Sequence, residues 1–173
     1  MNTIDELLSE SKIGEPREKL HLELREDHQK TVRRLAELAR HEILIVSRHL
    51  DPSVYGTEDF MEVMSPFVRS KRAWVRILVN DSRSMVKDTH RLAEMAVSLS
   101  SKISIRRLGL QEQQYNEAWM LADEVALLHL PQSDLYKGSM DFYSPRYGKE
   151  HKELFDSMWS HAELIPELRA LKI

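Results

Sequence analysis

Short apolar runs that alternate with segments of helical periodicity are the feature that most constrains this fold. Residues 43–46 are wholly apolar and residues 74–79 nearly so, and each run is long enough for one strand but too short for a helix. The segments between such runs place apolar residues three and four positions apart, as amphipathic helices do. Strands that alternate with helices favour parallel pairing and right-handed crossovers. The sequence therefore predicts an α/β fold.

The predicted elements follow one another in the order βα-βα-βα-β-β-β-β-α. Strands are expected at residues 19–24, 43–46, 74–79, 103–107, 118–122, 125–130 and 136–142. Helices are expected near residues 27–40, 57–70, 83–99 and 146–161. The early alternation favours parallel strands, whereas the late run of strands adds antiparallel ones, so the predicted sheet is mixed.

Local signals predict where several elements begin, bend and turn. Leucines alternate through residues 20–24 and are expected on one face of the first strand. Asp27 is the expected N-cap of the helix that follows. Pro66 lies inside the second predicted helix, where its missing N–H predicts a kink or a break. Asp123 and Glu124 separate two apolar runs and predict a hairpin turn.

Composition and charge favour a single folded domain and argue against nucleic-acid-binding and membrane-spanning proteins. The chain has 173 residues, of which 42% are hydrophobic and 31% charged, as expected for one folded domain. We expect residues 1–18 to be a polar N-terminal lead and residues 19–173 to be the domain. The formal charge of -3 argues against a nucleic-acid-binding protein. No run approaches the roughly 20 apolar residues of a membrane span, and the first residues do not resemble a signal peptide.

Cysteine does not occur in the sequence, which excludes disulfides, thiol nucleophiles and cysteine-ligated metals. A chain without cysteine suits the reducing cytoplasm, and we expect a cytoplasmic protein. The eight histidines show no His-x-x-x-His spacing. Neither a metal ion nor another cofactor is therefore expected.

Polar residues follow two strands of the predicted parallel series, at the edge where sheets of this kind bind ligands. Arg48 and Asp51 follow the first strand, and Asp81 and Arg83 follow the second. Two arginines at one edge indicate an anion or nucleotide site in which they clamp a phosphate. The alternative is that these residues are solvated turn residues and helix caps. His90, in the next helix, either faces the same crevice or is partly exposed.

The segment from residue 116 to residue 123 matches a known signature in length but not in chemistry. Asn116-Glu-Ala-Trp-Met-Leu-Ala-Asp123 has the spacing of His-x-Lys-x4-Asp, with Asn for His and Ala118 for Lys. Residues 138–141 look like a shifted Gly-Ser-x-Asn, and residues 155–162 look like a closing helix with Phe-x-x-x-Trp. On these motifs, residues 19–162 resemble one half of a phospholipase D-superfamily protein. The chain is also similar to uncharacterised bacterial phospholipase D-like domains, some of which extend a GNAT acetyltransferase.

The resemblance implies a mixed sheet flanked by helices. It also implies that Asn116 and Ala118 replace two catalytic residues of the family. In these enzymes the His attacks phosphorus and the Lys neutralises the phosphate oxygens. The Asn116 amide is not a nucleophile and Ala118 carries no charge, so phosphodiesterase activity is not expected. Asp123 alone matches the signature. One half-domain of this family pairs with a second copy across a cleft, which implies a homodimer.

Three functions are compatible with these residues. We favour a non-catalytic binding or regulatory domain, whose unidentified ligand contacts the candidate residues Arg48, Asp51, Asp81, Arg83, His90, Asn116 and Asp123. The second function is a hydrolase whose acid or base has moved to Asp51, Asp81, His90 or Asp123. The third is an accessory subunit that docks on an acetyltransferase.

Overall fold

The computed structural model describes residues 3–170, which form one mixed sheet with helices on both faces. The strands are β1 (Leu20–Leu22), β2 (Glu42–Ser47), β3 (Trp74–Val79), β4 (Ile103–Arg107), β5 (Ala118–Ala122), β6 (Ala126–Leu130), β7 (Gly138–Asp141) and β8 (Glu163–Leu164). The helices are α1 (Ile4–Glu10), α2 (Arg25–Leu38), α3 (Pro52–Tyr55), α4 (Glu58–Arg69), α5 (Arg83–Lys87), α6 (Arg91–Ser98), α7 (Pro145–His161) and α8 (Glu167–Ala170). A short 3-10 helix spans Leu110–Glu112.

The strands lie in the order β1-β7-β6-β5-β2-β3-β4-β8. Strands β2, β3 and β4 are parallel, while β5 and β8 run antiparallel to the strands beside them. Strands β5, β6, β7 and β1 form an antiparallel series. The carboxyl ends of β2, β3 and β4 therefore share one edge of the sheet with the start of β5 and the end of β6. We call this edge the carboxyl edge.

Strand β2 shows that the sheet is covered on both faces. Ile43 and Ile45 belong to the apolar cluster that includes α2, α4 and α6. Leu44 and Val46 belong to a second cluster, which includes α7. All six residues of β2 are buried, so the apolar run in the sequence reflects burial on two faces. The predicted mixed α/β architecture is confirmed.

The first strand and the helix after it differ from the prediction. Strand β1 pairs antiparallel with β7 and does not join the parallel series. Leu24 is 62% exposed, because the chain already turns into α2 at this position. Helix α2 begins before Asp27, which is therefore not the N-cap. Its Oδ2 instead accepts a hydrogen bond from the backbone N–H of Leu24, at 3.3 Å, and so still stabilises the start of the helix.

Two helices on the parallel side also differ from the prediction. Helix α4 continues through Pro66 without the expected break. Pro66 and Glu62, whose carbonyl loses its usual partner, are both exposed, so water can satisfy that carbonyl. The helix predicted at 83–99 is instead two helices, α5 and α6. The interruption contains Thr89, whose φ of 51° is left-handed and ends the helical path.

The hairpin between β5 and β6 is confirmed, and its turn residues Asp123 and Glu124 have φ values of 51° and 66°. Helix α1 lies within the predicted polar lead and buries Leu8 in the core. The terminal elements β8 and α8 had no clear signal in the sequence. Within residues 3–170, no helix combines the length and the apolar character that crossing a bilayer demands.

Candidate functional site

A cavity opens at the carboxyl edge between the start of α2, the end of β2 and the loop that joins β6 to β7. Its volume is about 390 Å³, which lies within the usual range of small-molecule sites. Apolar side chains of Val54, Ala118 and Leu130 form part of its lining, and Ser47 and Tyr55 add hydroxyl groups. We call this space the edge cavity.

Asp51 is a carboxylate of the edge cavity that is held by three hydrogen bonds. Its Oδ1 accepts from the backbone N–H and the hydroxyl of Ser53, at 2.9 and 2.7 Å. Its Oδ2 accepts from the hydroxyl of Tyr136, at 2.5 Å. Burial by itself raises the pKa of Asp51, but the hydrogen bonds from Tyr136 and Ser53 outweigh burial and hold the pKa below its usual value. Asp51 is therefore ionised at neutral pH.

Helix α2 fixes the loop that carries Tyr136. His28 is buried in this helix, and its Nε2 donates a hydrogen bond to the backbone carbonyl of Tyr136. Burial lowers the pKa of His28, so the neutral ring is favoured. Arg25 places its guanidinium 5.9 Å from the centre of the Tyr136 ring. These contacts hold the loop across the edge cavity.

Two buried residues, Ser47 and Tyr55, bring hydroxyl groups to the lining of the edge cavity. Tyr55 is 7% exposed, and its hydroxyl makes no hydrogen bond to any residue that the structure describes. Burial raises the pKa of Tyr55, so this hydroxyl keeps its proton at neutral pH. Ser47 accepts a hydrogen bond from the backbone N–H of Leu50, at 3.0 Å, and its own O–H remains able to donate.

The structure does not bring the two predicted arginines together on one anion. Arg48 is exposed and is not part of the lining of the edge cavity. Arg83 pairs with Asp81 at 2.8 Å, and its side chain is 90% exposed. The hydrogen bonds from Arg83 lower the pKa of Asp81 to about 2. Asp81 and Arg83 therefore satisfy each other outside the edge cavity, whereas Asp51 lines it.

His90 is buried at the start of α6 and does not face the edge cavity. Its Nδ1 accepts from the backbone N–H of Leu92 at 3.0 Å, and its Nε2 donates to the carbonyl of Leu50 at 2.9 Å. Burial lowers the pKa of His90. The two ring nitrogens of His90 thus link α6 to the loop that follows β2. Among residues 3–170, no three acidic or histidine side chains are grouped so that they could hold a metal ion.

Asn116 and Asp123 lie at opposite ends of β5. The Asn116 side chain accepts a hydrogen bond from the hydroxyl of Ser133 at 2.8 Å, which places it at the rim of the edge cavity. Asp123 lies at the far edge of the sheet. Its carboxylate accepts from the backbone N–H groups of residues 40, 41 and 42, at 2.9, 2.8 and 3.0 Å.

Several residues of the edge cavity were missed from the sequence, namely His28, Tyr55, Ser133 and Tyr136. His28 shares the buried face of α2 with Val32 and Leu35, four and seven positions later. A histidine within an apolar stripe was the available signal for it. Ser133 and Tyr136 come from an irregular loop, where no periodic pattern indicates which side chains point inward.

A comparison with known families places the chain in one of them. Residues 24–171 match a family described as a domain of unknown function, DUF7931. The chain belongs to this family. A comparison of the DUF7931 domain with curated proteins finds no match.

Solved structures similar to the DUF7931 domain include phospholipase D proteins. Nuc from Salmonella typhimurium, a phospholipase D family member, has a TM-score of 0.58 and 12% identity, over 78% of this chain and 88% of that chain. NucT from Helicobacter pylori has a TM-score of 0.59 and 12% identity, over 86% of this chain and 99% of that one. The predicted phospholipase D-like fold is confirmed.

A third similar structure is TrmBL2, an archaeal chromatin protein described as showing a novel mode of DNA binding. Its TM-score is 0.64 with 14% identity, over 86% of this chain. The DUF7931 domain spans about half of TrmBL2, since 55% of that chain is covered. At this level of identity, the likeness shows a common fold.

Proposed function

We propose that the DUF7931 domain is a non-catalytic phospholipase D-like binding domain, and that its ligand occupies the edge cavity. The observation that carries this proposal is the edge cavity itself. Ala118 leaves space beside the start of β5, while Asp51, Tyr55 and Tyr136 supply polar groups around that space. A concave site with apolar walls and a few converging polar groups is the usual form of a small-molecule site.

On this proposal, Asn116 and Ala118 occupy the places of the family's His and Lys. The Asn116 amide is engaged by Ser133, and an amide has no basic lone pair with which to attack phosphorus. The methyl group of Ala118 brings no charge to a phosphoryl transition state. The domain then keeps the scaffold of a phosphodiesterase without its nucleophile and its cation.

Contacts of the other candidate residues favour binding over a relocated hydrolase. Asp81 is paired with Arg83, both nitrogens of His90 are engaged, and Asp123 caps backbone N–H groups at the far edge. Asp51 remains, but its hydrogen bonds hold its pKa below the usual value. A general base works best when its pKa lies near the working pH, so Asp51 is poorly suited to that role.

Hydrolysis of bis(p-nitrophenyl) phosphate tests the absence of catalysis. We expect the purified chain to release no more p-nitrophenol than the Asp51→Asn variant or buffer alone. The Asp51→Asn variant keeps the size of the side chain and removes its charge. Release by the parent that Asp51→Asn abolishes would contradict a non-catalytic domain and support the relocated hydrolase.

Thermal unfolding in the presence of a small-molecule panel tests binding in the edge cavity. Ala118→Leu places three further carbons in the cavity. We expect a compound that raises the melting temperature of the parent to lose this effect on Ala118→Leu. His41→Gln, an exposed substitution at the opposite edge, is the matched control and should respond like the parent. A compound that stabilises Ala118→Leu as strongly as the parent would place the ligand elsewhere.

We also propose a homodimer formed through the carboxyl edge. Leu24, Leu110 and Leu135 are 62%, 86% and 47% exposed, and all three belong to segments at this edge. Contact between two copies there would bury these leucines and bring the two edge cavities close together. Light scattering after gel filtration should give a dimeric mass for the parent and a monomeric mass for Leu110→Glu. A monomeric parent would contradict the dimer.

An acetyltransferase partner and a cytoplasmic location stay predictions from the sequence. Co-purification of the chain with an acetyltransferase would support the accessory-subunit alternative. The net charge of -3 still argues against nucleic acid as the ligand, although TrmBL2 is described as binding DNA. A gel-shift experiment with duplex DNA, in which the chain leaves the DNA unshifted, is the expected result.

A further inference from the structure

Half of the ten polar side chains that line the edge cavity carry uncharged hydroxyl groups, and the others are Arg25, His28, His49, Asp51 and Asp134. Three serines and two tyrosines supply the hydroxyl groups, namely Ser47, Ser53, Ser133, Tyr55 and Tyr136. A hydroxyl group both donates and accepts hydrogen bonds, so this lining suits a ligand that also does both. Ser47 and Tyr55 are the deepest of the five, at 8% and 7% exposure.

The charged groups of the edge cavity favour neither an anion nor a cation. Arg25 is the guanidinium in the lining, and it lies against the Tyr136 ring. Asp51 and Asp134 add two carboxylates, so a phosphate dianion would meet more negative than positive charge. A cation would meet the same two carboxylates, but Arg25 opposes it and Asp51 already accepts three hydrogen bonds. A phosphate therefore finds no partner that offsets the loss of its hydration, and a cation would lie beside the Arg25 guanidinium.

Two groups of the cavity have hydrogen-bonding capacity to spare. No hydrogen bond contributes to the raised pKa of Tyr55, which lines the cavity, so its hydroxyl can donate to and accept from a molecule there. The Asp51 carboxylate offers about four acceptor positions, of which Ser53 and Tyr136 use three. A ligand hydroxyl that donates to Asp51 and another that contacts Tyr55 would use both groups without bringing a charge into the cavity.

We infer that the edge cavity binds an uncharged, hydroxyl-rich small molecule of the sugar or polyol class, with Asp51 and Tyr55 as its principal hydrogen-bonding partners. This inference rests on the proposed function, because it requires that the ligand of the DUF7931 domain occupies the edge cavity. Apolar walls at Val54, Ala118 and Leu130 pack against the carbon skeleton of such a ligand, and the hydroxyl groups face the polar side chains.

Titrations of the full chain, followed through its backbone amide signals by ¹H–¹⁵N NMR, test the class of ligand. The uncharged probes are D-glucose, D-ribose and myo-inositol. Inorganic phosphate is the anionic probe, and ethanolamine, protonated at neutral pH, is the cationic probe. We expect saturable shifts at Ser47, Ser53 and Ser133 with at least one uncharged probe, and none with phosphate or ethanolamine.

The Tyr55→Phe variant tests the deepest contact, because it removes one hydroxyl and keeps the ring. Loss of one hydrogen bond between neutral groups should weaken binding of the uncharged probe about fivefold. Tyr143→Phe removes the hydroxyl of a tyrosine that is 42% exposed and lies outside the cavity, so it serves as the matched control. Binding should be unchanged in Tyr143→Phe.

The possible outcomes separate this inference from the proposed function. Saturable shifts at the cavity with phosphate or ethanolamine alone would overturn the uncharged class and leave a binding domain in place. If all five probes fail to shift cavity amides, the inference is overturned, and the thermal-unfolding panel with Ala118→Leu then decides the proposed function. Equal affinity of Tyr55→Phe and the parent for an uncharged probe would overturn the assignment of Tyr55.

Discussion

The residues at the two ends of β5 differ in their surroundings. At the carboxyl edge the strand begins beside open space, where Ala118 lines the edge cavity and Asn116 lies at its rim. At the far edge Ala122 is completely buried, and Asp123 accepts three hydrogen bonds from the backbone ahead of β2. One end is therefore free to change its chemistry, whereas the other end is fixed by the fold.

This difference gives the position of Asp123 an explanation that does not involve catalysis. Asp123 joins the β5–β6 turn to residues 40–42 through three hydrogen bonds, which stabilise the sheet. Its φ of 51° adds a second constraint, since Asp tolerates the left-handed region better than most residues do. A matching Asp at this position is thus a feature of the scaffold and carries no information about the nucleophile.

The largest effect is expected from removing the acid at the far edge. Asp123→Ala leaves three backbone N–H groups without their acceptor and should lower the free energy of unfolding by about 3 kcal/mol. Asp123→Asn keeps one acceptor oxygen and the left-handed backbone, so we expect about half of that loss. Urea denaturation followed by circular dichroism measures both. An Asp123→Ala variant as stable as the parent would contradict the stabilising role assigned to Asp123 at the far edge.

The next effect comes from enlarging the two alanines of β5 that face α2. Ala122 is fully buried, so Ala122→Leu should overpack the core and cost about 2 kcal/mol. Ala118 borders the edge cavity, and Ala118→Leu should cost less than about 1 kcal/mol because the new side chain enters free space. The same denaturation experiment compares the pair. Equal losses would mean that the cavity does not accept a side chain from β5.

The sequence predicted the far end of β5 better than the cavity end, and the reason is physical. Alternating apolar runs with a two-residue acidic break determine a hairpin locally, so Asp123 could be placed on its turn. The edge cavity depends on His28 and Tyr136, which are 108 positions apart and meet through one side chain to backbone hydrogen bond. Periodicity within a single element contains no information about such a contact.

The outcome for Arg83 and His90 follows the same rule. Arg83 was predicted near the ligand because it follows a parallel strand, and His90 was expected either to face the same crevice or to be partly exposed. Topology did place both segments at the carboxyl edge. Arg83 instead forms an ion pair with Asp81, two positions away. His90 forms hydrogen bonds with the backbone of Leu50 and Leu92. Strand order determines which segments share an edge, but local hydrogen bonds decide which side chains remain available there.

A smaller effect is expected at the wall of the edge cavity. Tyr136→Phe removes the hydroxyl that donates to Asp51 and should cost about 1 kcal/mol of stability. The pKa of Asp51 should rise, because the ionised form loses a hydrogen bond while burial still disfavours it. A ¹³C NMR titration of the Asp51 carboxyl group measures the change, with Tyr143→Phe as the control. An unchanged pKa would show that Ser53 alone holds Asp51 ionised.

The smallest effect is a pH dependence that belongs to the carboxyl edge. Burial lowers the pKa of His28 and of His90 from 6.5, so below that pH the unfolded chain takes up protons that the folded chain does not. Their contribution to stability is complete above pH 6.5 and is lost as the pH falls through the folded-state values. The melting temperature should therefore drop between pH 7 and pH 5, and His28→Gln should reduce that drop.

Exposed His41, at the far edge, provides the control for this pH dependence, and His41→Gln should leave the drop unchanged. Amide hydrogen exchange at pH 5.5 locates the loss, because burial disfavours a charged His28 beneath the loop that carries Tyr136. Residues 131–137 should then lose protection before residues 40–42, which Asp123 holds. If both segments open together, the two ends of β5 behave as one cooperative unit, and the contrast between them does not extend to their local stability.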